Sequence, residues 1–174
     1  MTPVSSRSPS RRLLVDVVRR ADLWASHVPE EALVLAAKAA FAACEPGPGR
    51  AEVSLLLGDD AEVRELNRNW RGKDEPTNVL SFPLGVAPCG DEPRSLGDVA
   101  LACETVMREA RERGIPPEQH AVHLVVHGML HLMGFDHVSE EGAQEMEALE
   151  TRILAELGFP DPYAPHAVLA GEEL

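Results

Sequence analysis

Cysteine is scarce, and the three present, Cys44, Cys89 and Cys103, stand too far apart to form a close metal-binding or redox pair. Their spacing argues against a disulfide framework and agrees with a reducing, cytoplasmic setting. Long hydrophobic runs are also missing. Lys38 interrupts the longest apolar stretch and Asp16 breaks the amino-terminal one, so neither a membrane-spanning helix nor a secretory signal is expected. Positive charge is in short supply, with 16 Lys and Arg against 29 Asp and Glu, a net charge of −13. A field of that sign repels a polyanionic substrate at long range. Its distribution softens the objection. Residues 138–174 hold nine acidic side chains against Arg152 alone, whereas Arg64, Arg68, Arg71 and Lys73 cluster within ten residues and permit a local basic patch.

At 174 residues and 44% apolar content, the chain has enough material for one domain with a buried core. Residues 1–10, rich in Ser, Pro and Arg, are expected to be disordered, 11–160 to form the folded domain, and 161–174 to be a flexible acidic tail. Hydrophobic patterning predicts strands over Leu13–Val18, Glu52–Leu57, Val79–Phe82 and Leu96–Ala102. Helices are predicted over Pro29–Cys44, Ala61–Trp70 with Asp59 or Asp60 as cap, Glu104–Arg113, Pro117–Met133 and Glu140–Leu157. Loops are expected at Glu45–Gly49 and in the Gly/Pro/Asp-rich excursion after Pro83. Four strands interleaved with five helices imply a single α+β domain with a mixed sheet.

The richest segment is His127-Gly-Met-Leu-His-Leu-Met-Gly-Phe-Asp-His137. His127 and His131 are four residues apart, which on a helix puts them on one face about 6 Å apart along the axis. Gly134 can take a left-handed conformation and turn the chain back, bringing His137 round to the same point. Three neutral imidazoles suit one Zn²⁺ or a neighbouring first-row divalent ion and leave a coordination position for water, as in catalytic sites. A lone histidine on an apolar helix face is more often a satisfied core residue, but three at this spacing favour ligands. A closed structural zinc site would need a fourth ligand, and no cysteine lies near. His123 continues the stripe one turn earlier, yet about 12 Å separates it from His131 along a straight helix, too far to share an ion easily. His27, His120 and His166 carry no assignment. Asp136 has two readings, orienting a ligand imidazole or serving as a turn residue.

The second informative segment is Glu65-Leu-Asn-Arg-Asn-Trp-Arg-Gly-Lys-Asp-Glu-Pro-Thr-Asn-Val-Leu-Ser-Phe-Pro83. With Ser95-Leu-Gly-Asp-Val-Ala100 and the histidine motif, it resembles the YbeY family of bacterial endoribonucleases, from about Glu52 to Gly158 and including Met146 and Glu150. The resemblance implies a zincin-like α+β fold and a metal-dependent endoribonuclease that prefers single strands. It also implies a part in 16S rRNA 3′-end maturation and ribosome quality control, with ribosomal RNA and small-subunit proteins as partners. His127, His131 and His137 match the family's metal ligands, and Arg71 its functional arginine. The family pattern often has Asp where Asn78 stands, and Tyr where Trp70 and Phe135 stand; Asn78 puts any role for a carboxylate there in doubt.

Chemistry points the same way. A zinc-bound water has its pKa lowered toward ~7, and the ion can polarise an acyl or phosphoryl oxygen. Helical zinc proteases place a glutamate after the first histidine as general base, and here that position is Gly128. Arg71 offers a planar fork for bidentate phosphate contact, its alternative being a surface pair with Asp74 or Glu75. Attack by water and attack by the RNA 2′-hydroxyl both stay open. Trp70 is read first as a core aromatic of its helix and second as a base-stacking residue. Glu140, Glu141, Glu145, Glu147 and Glu150 read as a solvated face, or as a docking face for a basic ribosomal protein. Two other functions stand beside the nuclease. One is a metallohydrolase of a peptide or amide bond, favoured if a glutamate such as Glu104 lies at the metal. The other is a non-catalytic assembly factor with a structural metal.

Overall fold

A computed structural model describes residues 12–44, 49–84 and 92–165. The expectations for residues 1–10, for most of the two loops, for Cys89 and His166, and for most of the 161–174 tail lie outside these residues. Strands β1 (Leu13–Arg19), β2 (Ala51–Gly58), β3 (Val79–Pro83) and β4 (Arg94–Ala102) form one sheet in the order β1-β2-β4-β3. β1, β2 and β4 run parallel and β3 pairs antiparallel with β4, which is the mixed sheet expected. Helices α2 (Glu30–Ala43), α3 (Asp60–Arg71), α4 (Cys103–Arg113), α5 (Pro117–Leu132) and α6 (Glu140–Glu156) fall where predicted to within two residues at each end.

Two details differ from the prediction. A short helix, α1 (Leu23–His27), makes a sixth; five residues show too little periodicity to be read, and it is held by Trp24, whose buried Nε1 donates to the Gly58 carbonyl at 2.9 Å. Pro29 is the extended N-cap of α2 rather than its first helical residue.

Strand alternation divides the core between the two faces of the sheet. Val53, Leu55, Leu57, Val99 and Leu101 point into the main core with α2, α5 and α6, while Leu56, Ala100 and Ala102 point the other way, toward Val63 of α3. α3 is anchored by Asp59, whose side chain accepts from the Glu62 N–H at 2.8 Å. Asp60 serves α4 instead, accepting from the N–H and hydroxyl of Thr105, both at 2.9 Å.

α5 is the central helix. It packs on α2, α4, α6, β3 and β4, and ten of its residues are buried. It meets the sheet tightly at Gly128, where an added Cβ would lie 2.7 Å from Cγ1 of Val99 and 3.1 Å from Oγ of Ser81. The Ser81 hydroxyl donates to the Gly128 carbonyl at 3.0 Å and pins the contact. Alanine at 128 would gain up to ~1 kcal/mol in helix propensity but would overpack a rigid Val99, at a cost of about 1–3 kcal/mol. Gly128→Ala is expected to lower unfolding stability by a net of about 1–2 kcal/mol in urea titration; equal or greater stability would refute the tight contact.

Candidate metal centre

The sequence of α5 places His127 and His131 one turn apart, and the end of the helix brings in the third ring. Gly134 has φ of 97°, its N–H donates to the His131 carbonyl at 3.1 Å, and the Phe135 N–H donates to the Leu130 carbonyl at 3.0 Å. This reversal returns His137 to the helix. His127, His131 and His137 each present a ring nitrogen, all within 4.8 Å of one another, and among the described residues they are the one such group of His, Cys, Asp or Glu. Ring centroids are 4.6 Å apart for His127 and His131, 5.0 Å for His131 and His137, and 5.6 Å for His127 and His137.

Protonation suits ligation. Oε1 of Glu150 lies 2.5 Å from Nδ1 of His127, so the ring donates there and keeps its Nε2 lone pair, which faces Nε2 of His131 at 3.1 Å. Burial, then the neighbouring His127 and His137, push the His131 pKa down and keep it neutral, outweighing a backbone hydrogen bond to Phe135. Nitrogen lone pairs converging at this distance repel one another unless a cation or proton lies between them. The donor set could therefore hold a divalent first-row ion.

Around the histidines lies a cavity of about 600 Å³, lined also by Arg71, Asn78, Ser81 and Phe135. Arg71 ends α3, where Gly72 at φ 69° turns the chain. Neither carboxylate suggested by the sequence holds it: Asp74 is taken by Nε of Arg64 at 2.8 Å, and Arg71 forms no ion pair among the described residues. Trp70 is 74% exposed, which corrects the core reading; its ring meets Phe82 edge-on at 6.4 Å. Asn78 donates to Oε2 of Glu109 at 3.0 Å and also borders a neighbouring cavity of about 320 Å³. Glu104 does not line the cavity; it accepts from the Asp60 N–H at 2.7 Å. Asp136 accepts from the Val138 N–H at 3.2 Å, the turn reading of the two. His123 lies outside the triad and faces Glu150, its Nε2 3.1 Å from Oε2.

Glu150 is the residue misplaced by the sequence reading. Glu140, Glu141, Glu145 and Glu147 are exposed as expected, but Glu150 is fully buried. The signal was its register: Met146, Glu150, Ile153 and Leu154 form the buried stripe of α6 at helical spacing. Burial opposes its charge, yet hydrogen bonds with His123, His127 and Tyr163 outweigh burial and hold the carboxyl at about 2. A carboxyl depressed on folding stabilises the fold above its ordinary value of 4.5, and that stability is lost as pH falls toward 2. Metal-free protein is therefore expected to lose stability between pH 4.5 and 2 more steeply than Glu150→Gln in denaturant titrations; parallel profiles would refute a buried carboxylate.

A protein of Bradyrhizobium diazoefficiens called Endoribonuclease YbeY is 51% identical over 156 residues, covering 87% of this chain and 85% of that one. One of the same name from Rhodopseudomonas palustris is 50% identical over 164 residues, covering 92% and 86%. A solution structure of a Thermotoga maritima protein, 24% identical, shares the fold with a TM-score of 0.54 over 87% of this chain and all of that one. The sequence model of the family described as Endoribonuclease YbeY matches residues 24–158, more than half of the chain, and with relatives this similar along most of its length the chain belongs to the YbeY family.

Proposed function

We propose that the chain is a metal-dependent endoribonuclease that cuts single-stranded RNA and acts in 16S rRNA 3′-end maturation and ribosome quality control in the cytoplasm. His127, His131 and His137 hold one Zn²⁺, or another first-row divalent ion, and Arg71 is the fourth residue of the active site. The observation that carries the reading is the convergence of three ring nitrogens within 4.8 Å in a cavity that also takes in Arg71, which has no ion pair among the described residues. The names of its relatives, Endoribonuclease YbeY, support RNA as the substrate.

When bound, the ion supplies Lewis acidity toward a phosphoryl oxygen and acidifies water. The protein's own residues do the rest. Glu150 orients His127, and burial keeps His131 neutral. Arg71 presents a guanidinium to the phosphodiester, where two parallel N–H donors match two phosphate oxygens and stabilise charge that grows in the transition state. Trp70 stands exposed beside Arg71 in sequence and offers a face on which an unpaired base stacks, favouring single strands over duplex. The basic residues at the end of α3 draw the backbone to this side of an otherwise acidic chain. Basic small-subunit proteins suit the exposed acidic face of α6.

Peptide hydrolysis by the helical zinc-protease route is disfavoured by packing as well as by sequence. Residue 128, where that route keeps its base, lies tight against Val99 of the sheet, and Glu104 stands apart from the histidine cavity. The test is cleavage of end-labelled single-stranded RNA by the native chain and by His131→Ala and Arg71→Ala purified in parallel. His131→Ala is expected to fall to background, and Arg71→Ala to lose about a hundredfold or more in rate. Equal cleavage by all three would assign the activity to a contaminant and overturn the reading.

A further inference from the structure

Beyond the end of α6 the chain folds back toward α4 and α5. Gly158 turns it at φ 86°, the Phe159 N–H donates to the Leu154 carbonyl at 2.8 Å, and the Tyr163 N–H donates to Oδ1 of Asp161 at 2.8 Å. Arg113 ties the segment to α4: one guanidinium nitrogen donates to the Pro162 carbonyl at 3.2 Å while the other lies 3.3 Å from Nδ1 of His120. Held this way, the Tyr163 ring stands edge-on to His123 at 5.6 Å, and its hydroxyl donates to Oε2 of Glu150.

The buried carboxylate is thus shared between two duties. Oε1 accepts a hydrogen bond from Nδ1–H of His127, while Oε2 is held by the Tyr163 hydroxyl and by Nε2 of His123. A fully buried carboxylate is costly unless its lone pairs are filled, and filling those of Oε2 also stops the group from rotating. We propose that Tyr163 is a positioning residue of the metal centre: by holding Oε2 of Glu150, it keeps Oε1 on Nδ1 of His127 and so keeps Nε2 of His127 aimed at the ion. The carboxy-terminal segment thereby contributes to metal affinity without supplying a ligand. This rests on reading the three histidines as a metal site, and it adds a hydroxyl whose loss leaves the ligands intact. Groups bonded directly to a ligand histidine, as Glu150 is to His127, typically contribute 10- to 100-fold to metal affinity, and Tyr163 acts through that group, toward the lower end of the range.

Tyr163 is the single tyrosine of the chain, so it can be followed without interference. Zinc affinity would be measured by competition with a chromophoric chelator for the native chain, His131→Ala and Tyr163→Phe. The aromatic ring and its packing survive in Tyr163→Phe, so only the hydroxyl is tested. The expected result is strong loss of zinc in His131→Ala and about tenfold weaker zinc in Tyr163→Phe, with an unchanged far-ultraviolet circular dichroism spectrum. Native affinity in Tyr163→Phe beside loss in His131→Ala would overturn this role while leaving the metal site standing. Equal binding by the native chain and His131→Ala would overturn the site and this role together. Should Tyr163→Phe fold poorly, native protein labelled with ¹³C at the tyrosine ζ carbon supplies one resonance; its shift on zinc addition is expected, and its constancy would overturn the proposal.

Discussion

The close contact of α5 with the sheet is the constraint on which the rest of the molecule depends. At Gly128 there is no room for a Cβ against Val99, and the Ser81 hydroxyl holds the Gly128 carbonyl at 3.0 Å. A helix held this near β3 and β4, and packed by α2, α4 and α6, is enclosed nearly all round, which is why it is apolar on most of its circumference. His127 and His131, the neighbour and near neighbour of that glycine, inherit its position. Their separation reflects helix geometry, but their place in the fold reflects a contact on the adjoining face of the helix, where Ser81 both holds Gly128 and lines the histidine cavity.

Charge is handled locally in this acidic molecule. Glu150 carries a negative charge in the interior, paired with no Lys or Arg among the described residues and satisfied by two imidazoles and a phenol. Those donors make the carboxylate tolerable, and the carboxylate in return fixes which nitrogen of His127 is free. Positive charge gathers at the end of α3, where the negative end of the helix dipole favours Arg68 and Arg71. Asp74 neutralises Arg64, leaving Arg71 as the arginine that lines the histidine cavity. The two described cysteines are held as thiols: burial pushes Cys44 and Cys103 up to about 11, and both are free.

Where the sequence reading succeeded, the determinants were local. The two-residue alternation of Val53, Leu55 and Leu57, the cap at Asp59 and the register of the α5 histidines are properties of neighbours along the chain. Gly134 reads correctly for the same reason, because a left-handed turn at the end of a helix is decided within a few residues. Where the reading failed, the determinants were distant. Trp70 lies outside the core because the small cluster beneath α3 is filled by Val63, Leu80, Ala100 and Ala102. Glu150 looked solvated beside four exposed glutamates, and its burial depends on histidines more than twenty residues upstream.

The sequence by itself determined the elements other than α1, the register of His127 and His131 with the turn at Gly134, and the family, since helix register, strand alternation and motif spacing are written in short stretches of chain. Tertiary structure alone decided how these parts meet. It chose the order β1-β2-β4-β3, set Arg71 at the end of α3 into the same cavity as histidines sixty residues later, and turned Tyr163 back onto Glu150. The physical reason is that burial and hydrogen-bond satisfaction of a side chain belong to its surroundings in space, and contacts between remote segments leave no period in the sequence.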